Sequence, residues 1–190
     1  MIVIKLYGGL GNQMFQYAFA YSLKKKKEVE VKFDISFYEN QTVHDQILIS
    51  KVFNINLNLV NKNELANLIG WRRFPIFNKS MNFIKLKKKS YIKEDKNKNI
   101  LEITNRLDNK FFDGYWQNWN YFNEYKKELN KIFIFNTKVK DNYKCWAKSI
   151  LQSNSVCIHL RRGDYFNNKK NKSIFHELKL NYFSEAINLI

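Results

Sequence analysis

A chain of 190 residues can bury one good core, or one complete domain with the beginning of a second. An apolar share of 45% and an aromatic share of 16%, with 16 Phe, 11 Tyr and 4 Trp, exclude a largely disordered protein. Lys and Arg total 33 against 17 Asp and Glu, a formal +16 that would attract nucleic acid, anionic lipid or a phosphorylated substrate, although an excess of lysine, asparagine and isoleucine together also follows from nucleotide composition alone.

The chain opens with an apolar strand pattern at residues 2–6, broken by Gly8, Gly9 and Gly11. Residues 12–23 carry Met14, Phe15, Tyr17, Ala18, Tyr21 and Leu23 at helical spacings, and Lys24 to Lys27 suit the C-terminal end of a helix dipole. Val29, Val31 and Phe33 alternate with Glu30 and Lys32 up to Asp34, a second strand. Strand, loop, helix and strand in that order open a βαβ sheet of the α/β class. Residues 47–59 give no firm assignment, and 64–69 read as a helical turn. Lysines dominate residues 79–99, which predicts a solvated insertion rather than a basic amphipathic segment.

Residues 110–116, KFFDGYW, predict an aromatic strand, and 117–135 predict one helix from Trp119, Phe122, Tyr125, Leu129, Ile132 and Phe133 at spacings of three or four. Residues 143–151 predict a helix facing a core, 155–160 a short strand, and 175–190 a last helix. A strand needs neighbours for its backbone groups, so the second unit reads as unfinished. No run of about 18 apolar residues occurs, so neither a signal peptide nor a membrane span is expected. Cys145 and Cys157 form no metal-ligand spacing and no disulfide framework, which suits a reducing, cytoplasmic compartment.

Two segments can carry chemistry. In Gly8-Gly9-Leu10-Gly11-Asn12-Gln13, glycines let backbone N–H groups approach a pyrophosphate at a helix N-terminus; an ordinary tight turn explains the same residues. A nicotinamide enzyme would use Asp34 on the ribose, but the third fingerprint glycine is replaced by Met14. A P-loop kinase is excluded, because Gly-Lys-Ser/Thr is absent. In His159-Leu160-Arg161-Arg162-Gly163-Asp164-Tyr165, guanidinium forks at a strand end suit phosphate. An ion pair of Arg161 or Arg162 with Asp164 is the structural alternative.

Gly8-Gly-Leu-Gly-Asn-Gln-Met-Phe-Gln-Tyr-Ala18, Asp113-Gly-Tyr-Trp-Gln117 and His159-Leu-Arg-Arg-Gly-Asp-Tyr165, in that order, closely resemble the bacterial α-1,2-fucosyltransferases, glycosyltransferase family 11. The resemblance implies a GT-B-like enzyme that moves L-fucose from GDP-fucose to a galactose hydroxyl with inversion and without a metal or other cofactor; no Asp-x-Asp occurs. It implies a Rossmann-like acceptor domain at residues 1–142 and, at 143–190, the first strand and helix of an incomplete donor domain. By the same resemblance Arg161 and Arg162 stabilise the departing GDP, His159 and Asp164 belong to that donor motif, and Gly9, Gly11 and Asn12 line the cleft opposite, with Asn12 orienting the acceptor hydroxyl. Residue type makes His159 an acid or base, while its strand position favours a packed core histidine; Tyr115 and Trp116 likewise read first as core.

The later donor motifs, a Ser-Asp-Asp segment and a tryptophan-bearing Ser/Thr-rich segment, are absent, which predicts a truncated transferase. The alternative is a non-catalytic nucleotide- or polyanion-binding remnant. The partners expected are GDP-fucose and a galactose-containing glycan at the inner membrane face, with the lysines of residues 79–98 touching anionic lipid and no specific nucleic acid.

Overall fold

The computed structural model of the chain describes residues 1–39, 46–70, 90–95, 109–136, 138, 140–159 and 178–189. The chain divides into two units, Met1–Lys138 and Val139–Ile190.

The first unit is a parallel sheet with helices on both faces. Strand β1 (Ile2–Lys5) is followed by helix α1 (Leu10–Lys27) and strand β2 (Val31–Asp34), with β1 and β2 parallel and Ile2 opposite Val31. This is the βαβ unit expected from the sequence, although the helix begins at Leu10, inside the glycine-rich loop. Short helices α2 (Ser36–Glu39) and α3 (Ile49–Phe53) precede α4 (Lys62–Ile69). Strands β3 (Tyr91–Lys93) and β4 (Lys110–Asp113) complete a sheet of order β2-β1-β4-β3, every pairing parallel.

A strand's side chains alternate between faces, and β1 and β4 use both. Ile2, Ile4, Leu6 and Phe112 pack with Ala18, Phe19 and Leu23 of α1, joined by Trp116, Tyr121, Phe122 and Leu129. Val3 and Phe111 point the other way, onto Leu65, Leu68 and Ile69 of α4. Ile2, Val3, Ile4 and Leu6 are wholly buried, which is why the first strand reads as a continuous apolar run. A third cluster, Ile49, Phe53 and Ile55, receives Leu10 and Met14 of α1. Met14 therefore packs against α3, where a fingerprint glycine would have left that space empty.

Helix α4 carries its own start signal. The Asn61 side chain accepts from Glu64 N at 2.9 Å, and Glu64 Oε2 accepts from Asn61 N at 3.0 Å, a reciprocal cap that satisfies two otherwise orphaned donors.

Four expectations are corrected. Residues 117–135 are not one helix: two 3-10 turns, Trp119–Tyr121 and Asn123–Tyr125, precede α5 (Lys126–Ile132). The Asn118 side chain accepts from Asn120 N at 3.0 Å, and Phe122 at φ −143° leaves the helical region, so local asparagine bonding and one non-helical residue break the apolar period. The lysine-rich stretch is not wholly an insertion, since it contains β3; there Tyr91 stacks on Phe111 with ring centroids 5.5 Å apart. The rest of that stretch, and with it the expected lipid-facing lysines of residues 79–89 and 96–98, lies outside the described residues.

In the second unit, a 3-10 turn, Asp141–Tyr143, leads into α6 (Lys144–Leu151), and α7 (Leu180–Asn188) closes the described chain. Helix α6 has its apolar residues at helical spacing but buries none of them, and Trp146 is 68% exposed. The helix expected to face a core is thus present, with none of its side chains buried. Residues 154–159 have no regular structure and are exposed, contrary to the expected strand. Among the described residues no strand pairs with them, and an unpaired strand leaves its backbone groups to water.

Candidate functional site

Parallel strands all end at one edge of their sheet, and there the glycine-rich loop, Asp34, Glu94 and the residues after β4 come together. Leu6 N donates to Asp34 O at 2.9 Å, so β1 and β2 stay paired to the mouth of the loop. Gly8 has φ +79°, and a Cβ there would lie 2.4 Å from Asn12 Nδ2, so this position requires glycine. Gly9 caps α1 in an extended conformation, and Gly11 lies in its first turn. A Cβ on Gly9 or on Gly11 would meet nothing within 4 Å among the described residues.

Two buried glutamines hold the loop. Gln13 Nε2 donates to Gly8 O and to Gln46 O, both at 2.9 Å, while its Oε1 accepts from Leu48 N at 2.9 Å and Ile49 N at 3.0 Å. Tyr38 Oη donates to the same Gly8 oxygen at 2.8 Å. Gln16 Oε1 accepts from Tyr7 N at 3.2 Å, and its Nε2 donates to Gly114 O at 3.3 Å, tying the end of β1 to the end of β4. Their polar partners explain how two amides survive with no exposed surface.

The second motif reaches back to the first. Gln117 Nε2 donates to Asn12 Oδ1 at 2.7 Å. Between them, Trp116 takes φ +56°, is wholly buried and stacks on Phe19 with centroids 4.4 Å apart; its indole Nε1 has no hydrogen-bond partner among the described residues. A bulky residue in this left-handed region is strained, and the packing around Trp116 holds it there. Its neighbour Tyr115 turns outward, 41% exposed, so of the two aromatics expected in the core only Trp116 enters it. The Tyr115 ring rests against Tyr7 at 4.6 Å, and Tyr7 against Phe37 at 5.8 Å. A Cβ on Gly114 would collide with Glu94 Cβ at 2.4 Å, and Glu94 Oε2 accepts from Tyr115 N at 2.7 Å.

Asp113, at the end of β4, accepts from Tyr91 Oη and lies 3.6 Å from Lys5 Nζ. Burial, then the charges of Asp113, Tyr115 and Glu94, push the Tyr7 phenol well above its usual range, so it stays protonated and cannot serve as a base. Asp34, the residue a nicotinamide enzyme would offer to a ribose, is buried, with Oδ1 accepting from Ser36 N at 3.0 Å. A cleft of about 500 Å³ lined by Tyr21, Lys24, Lys25, Asn56 and Asn58 lies at the other end of α1 and shares no residue with the glycine loop.

Of the residues expected from the sequence, Gly9, Gly11 and Asn12 are together at this edge. His159 belongs to the second unit and is exposed, so it is not the packed core histidine its strand position suggested. Arg161, Arg162 and Asp164 lie outside the described residues. No cluster of three or more His, Cys, Asp or Glu suited to a metal occurs among the described residues, and no helix there is long and apolar enough to cross a membrane. Sequence reasoning gave no role to Gln13, Gln16 or Gln117. The signal was available, since Gln13 and Gln16 stand three apart in the otherwise apolar and aromatic run 13–21 and are tolerable in a buried position only when fully bonded.

Comparison with known proteins agrees with the motifs. The model of glycosyl transferase family 11 matches residues 1–190. An α-1,2-colitosyltransferase of Escherichia coli is 33% identical over 98% of this chain and 63% of its own length. The O-antigen biosynthesis glycosyltransferase WbnK of Escherichia coli is 28% identical over 97% of this chain and 66% of its own length. The chain thus spans just under two thirds of both relatives, and no solved structure matches it. A family match over every residue, on a parallel α/β unit whose strand edge carries the family's first two motifs, shows that this chain belongs to glycosyl transferase family 11.

Proposed function

We propose that the chain contributes the acceptor-side half of a GT-B-type, inverting α-1,2-glycosyltransferase that moves L-fucose from GDP-fucose to a galactose hydroxyl. In this reading the unit beginning near residue 143 starts the donor-binding domain. The observation that carries the proposal is the open space over Gly9 and Gly11. Gly9 suits the fold as a cap, but inside a helix turn glycine costs about 0.5–1 kcal/mol against alanine, so Gly11, whose Cβ would touch nothing among the described residues, needs a reason outside the fold. A ligand approaching the backbone supplies that reason, and the α1 N-terminus favours an anionic one.

The chemistry follows from charge. Departure of GDP places negative charge on its phosphate oxygens, and a guanidinium from Arg161 or Arg162 stabilises it. Asn12, oriented by Gln117, positions the acceptor hydroxyl but is no base at neutral pH. No metal is required in this scheme. An α-1,2-colitosyltransferase and an O-antigen biosynthesis glycosyltransferase among the relatives favour the α-1,2 linkage and an O-antigen-type glycan acceptor.

The test is release of GDP from GDP-fucose with and without a β-galactoside. Galactoside-dependent release that persists in EDTA is expected of the chain completed with a full donor domain, and in that completed chain Arg161→Ala or Arg162→Ala should lower it by about 100-fold or more. Nucleotide binding without such release would instead favour the non-catalytic remnant.

A further inference from the structure

We infer that Tyr115, backed by Tyr7 and flanked by the Asn12–Gln117 amide pair, is the platform on which the acceptor sugar ring stacks. This rests on the transferase reading above and deepens it by naming the acceptor subsite.

Four observations converge. The segment after β4 has its backbone fixed on both sides of Tyr115: Gly114 admits no side chain, and Trp116 is wedged in the core at φ +56°. The Tyr115 amide is held by the Glu94 carboxylate at 2.7 Å. Its ring is supported by Tyr7, which is itself braced by Phe37 and by Lys5 Nζ at 5.4 Å from the ring centre. The strain at Trp116 has the effect of turning one aromatic outward while the next buries. Two residues on, Gln117 bonds Asn12, an amide pair that would serve the hydroxyls of a ring lying on Tyr115.

Sugars present an apolar C–H face and a polar rim, and an aromatic face with adjacent amides matches both.

The experiment is titration of this chain with methyl β-D-galactoside, followed by saturation-transfer NMR, with thermal unfolding measured alongside. Tyr115→Ala should weaken binding about tenfold, and Tyr115→Phe and Tyr115→Trp should restore it to within about threefold, because the ring and not the hydroxyl does the stacking. Gln117→Ala should weaken it less, and the unfolding midpoint should hold for all three Tyr115 variants. Equal affinity in wild type and Tyr115→Ala, or no galactoside binding at all, overturns the platform. Sugar binding that depends on Tyr115 but no galactoside-dependent GDP release leaves the platform standing and sinks the transfer reading instead.

Discussion

Gly8 and Gly11 are three residues apart and are glycines for opposite reasons. Gly8 is forced by the fold, through φ +79° and the nearby Asn12 amide, whereas nothing in the described structure forbids a side chain on Gly11. Gly8→Ala should therefore destabilise the chain by about 1–3 kcal/mol in denaturant unfolding. Gly11→Ala should stabilise it by about 0.5–1 kcal/mol while weakening GDP-fucose binding in calorimetry. Loss of stability in both variants would mean that the loop is only a turn. The Gly8 carbonyl adds to this contrast, because its oxygen is occupied by Gln13 and Tyr38 and has no lone pair left over to repel an oxyanion.

At the scale of elements, α4 illustrates how charge and capping cooperate. Glu64 closes the cap with one oxygen and accepts from Lys32 Nζ of β2 at 2.5 Å with the other. The Lys32 bond, then the Asn61 backbone bond, hold its carboxyl below the usual value of 4.5. Because the folded state depresses this pKa, the stabilisation is complete above the ordinary carboxylate range and fades as pH falls through the depressed value. Glu64→Gln should unfold at a lower temperature than wild type near neutrality, and the two midpoints should converge as the pH drops below 4.5.

Elements were readable from the sequence where one pattern dominated. The run 2–6, the helix after the glycines and the alternation up to Asp34 carry a single period each, and the βαβ unit follows from them. The stretch 117–135 misled because aromatic spacing at three or four is shared by a helix and by successive 3-10 turns, and only the asparagine bonds decide. Strand β3 was hidden because an edge strand of three residues, ending in the exposed Lys93, looks like the lysine run around it. In the site, Gly9, Gly11 and Asn12 were legible as a motif, but the bond from Gln117 to Asn12 spans 105 residues and no local pattern encodes it.

For the whole molecule, the two units differ in how much they bury. The first has a sheet covered on both faces, and the described helices of the second bury no side chain. A fragment of residues 1–138 should accordingly keep a cooperative thermal transition by circular dichroism, and a broad, non-cooperative melt of that fragment would contradict this division. The parallel register has a further consequence. Ile4 lies opposite Phe33 on one side and Phe112 on the other, so the sheet acts as a ruler that sets the heights of Gly8 and Tyr115 relative to each other. Deleting one residue from β4 would exchange the faces of Phe111 and Phe112 and draw Tyr115 down by about 3.3 Å. Variation at this strand edge is therefore open to substitution beyond the strand ends and closed to length changes within the strands.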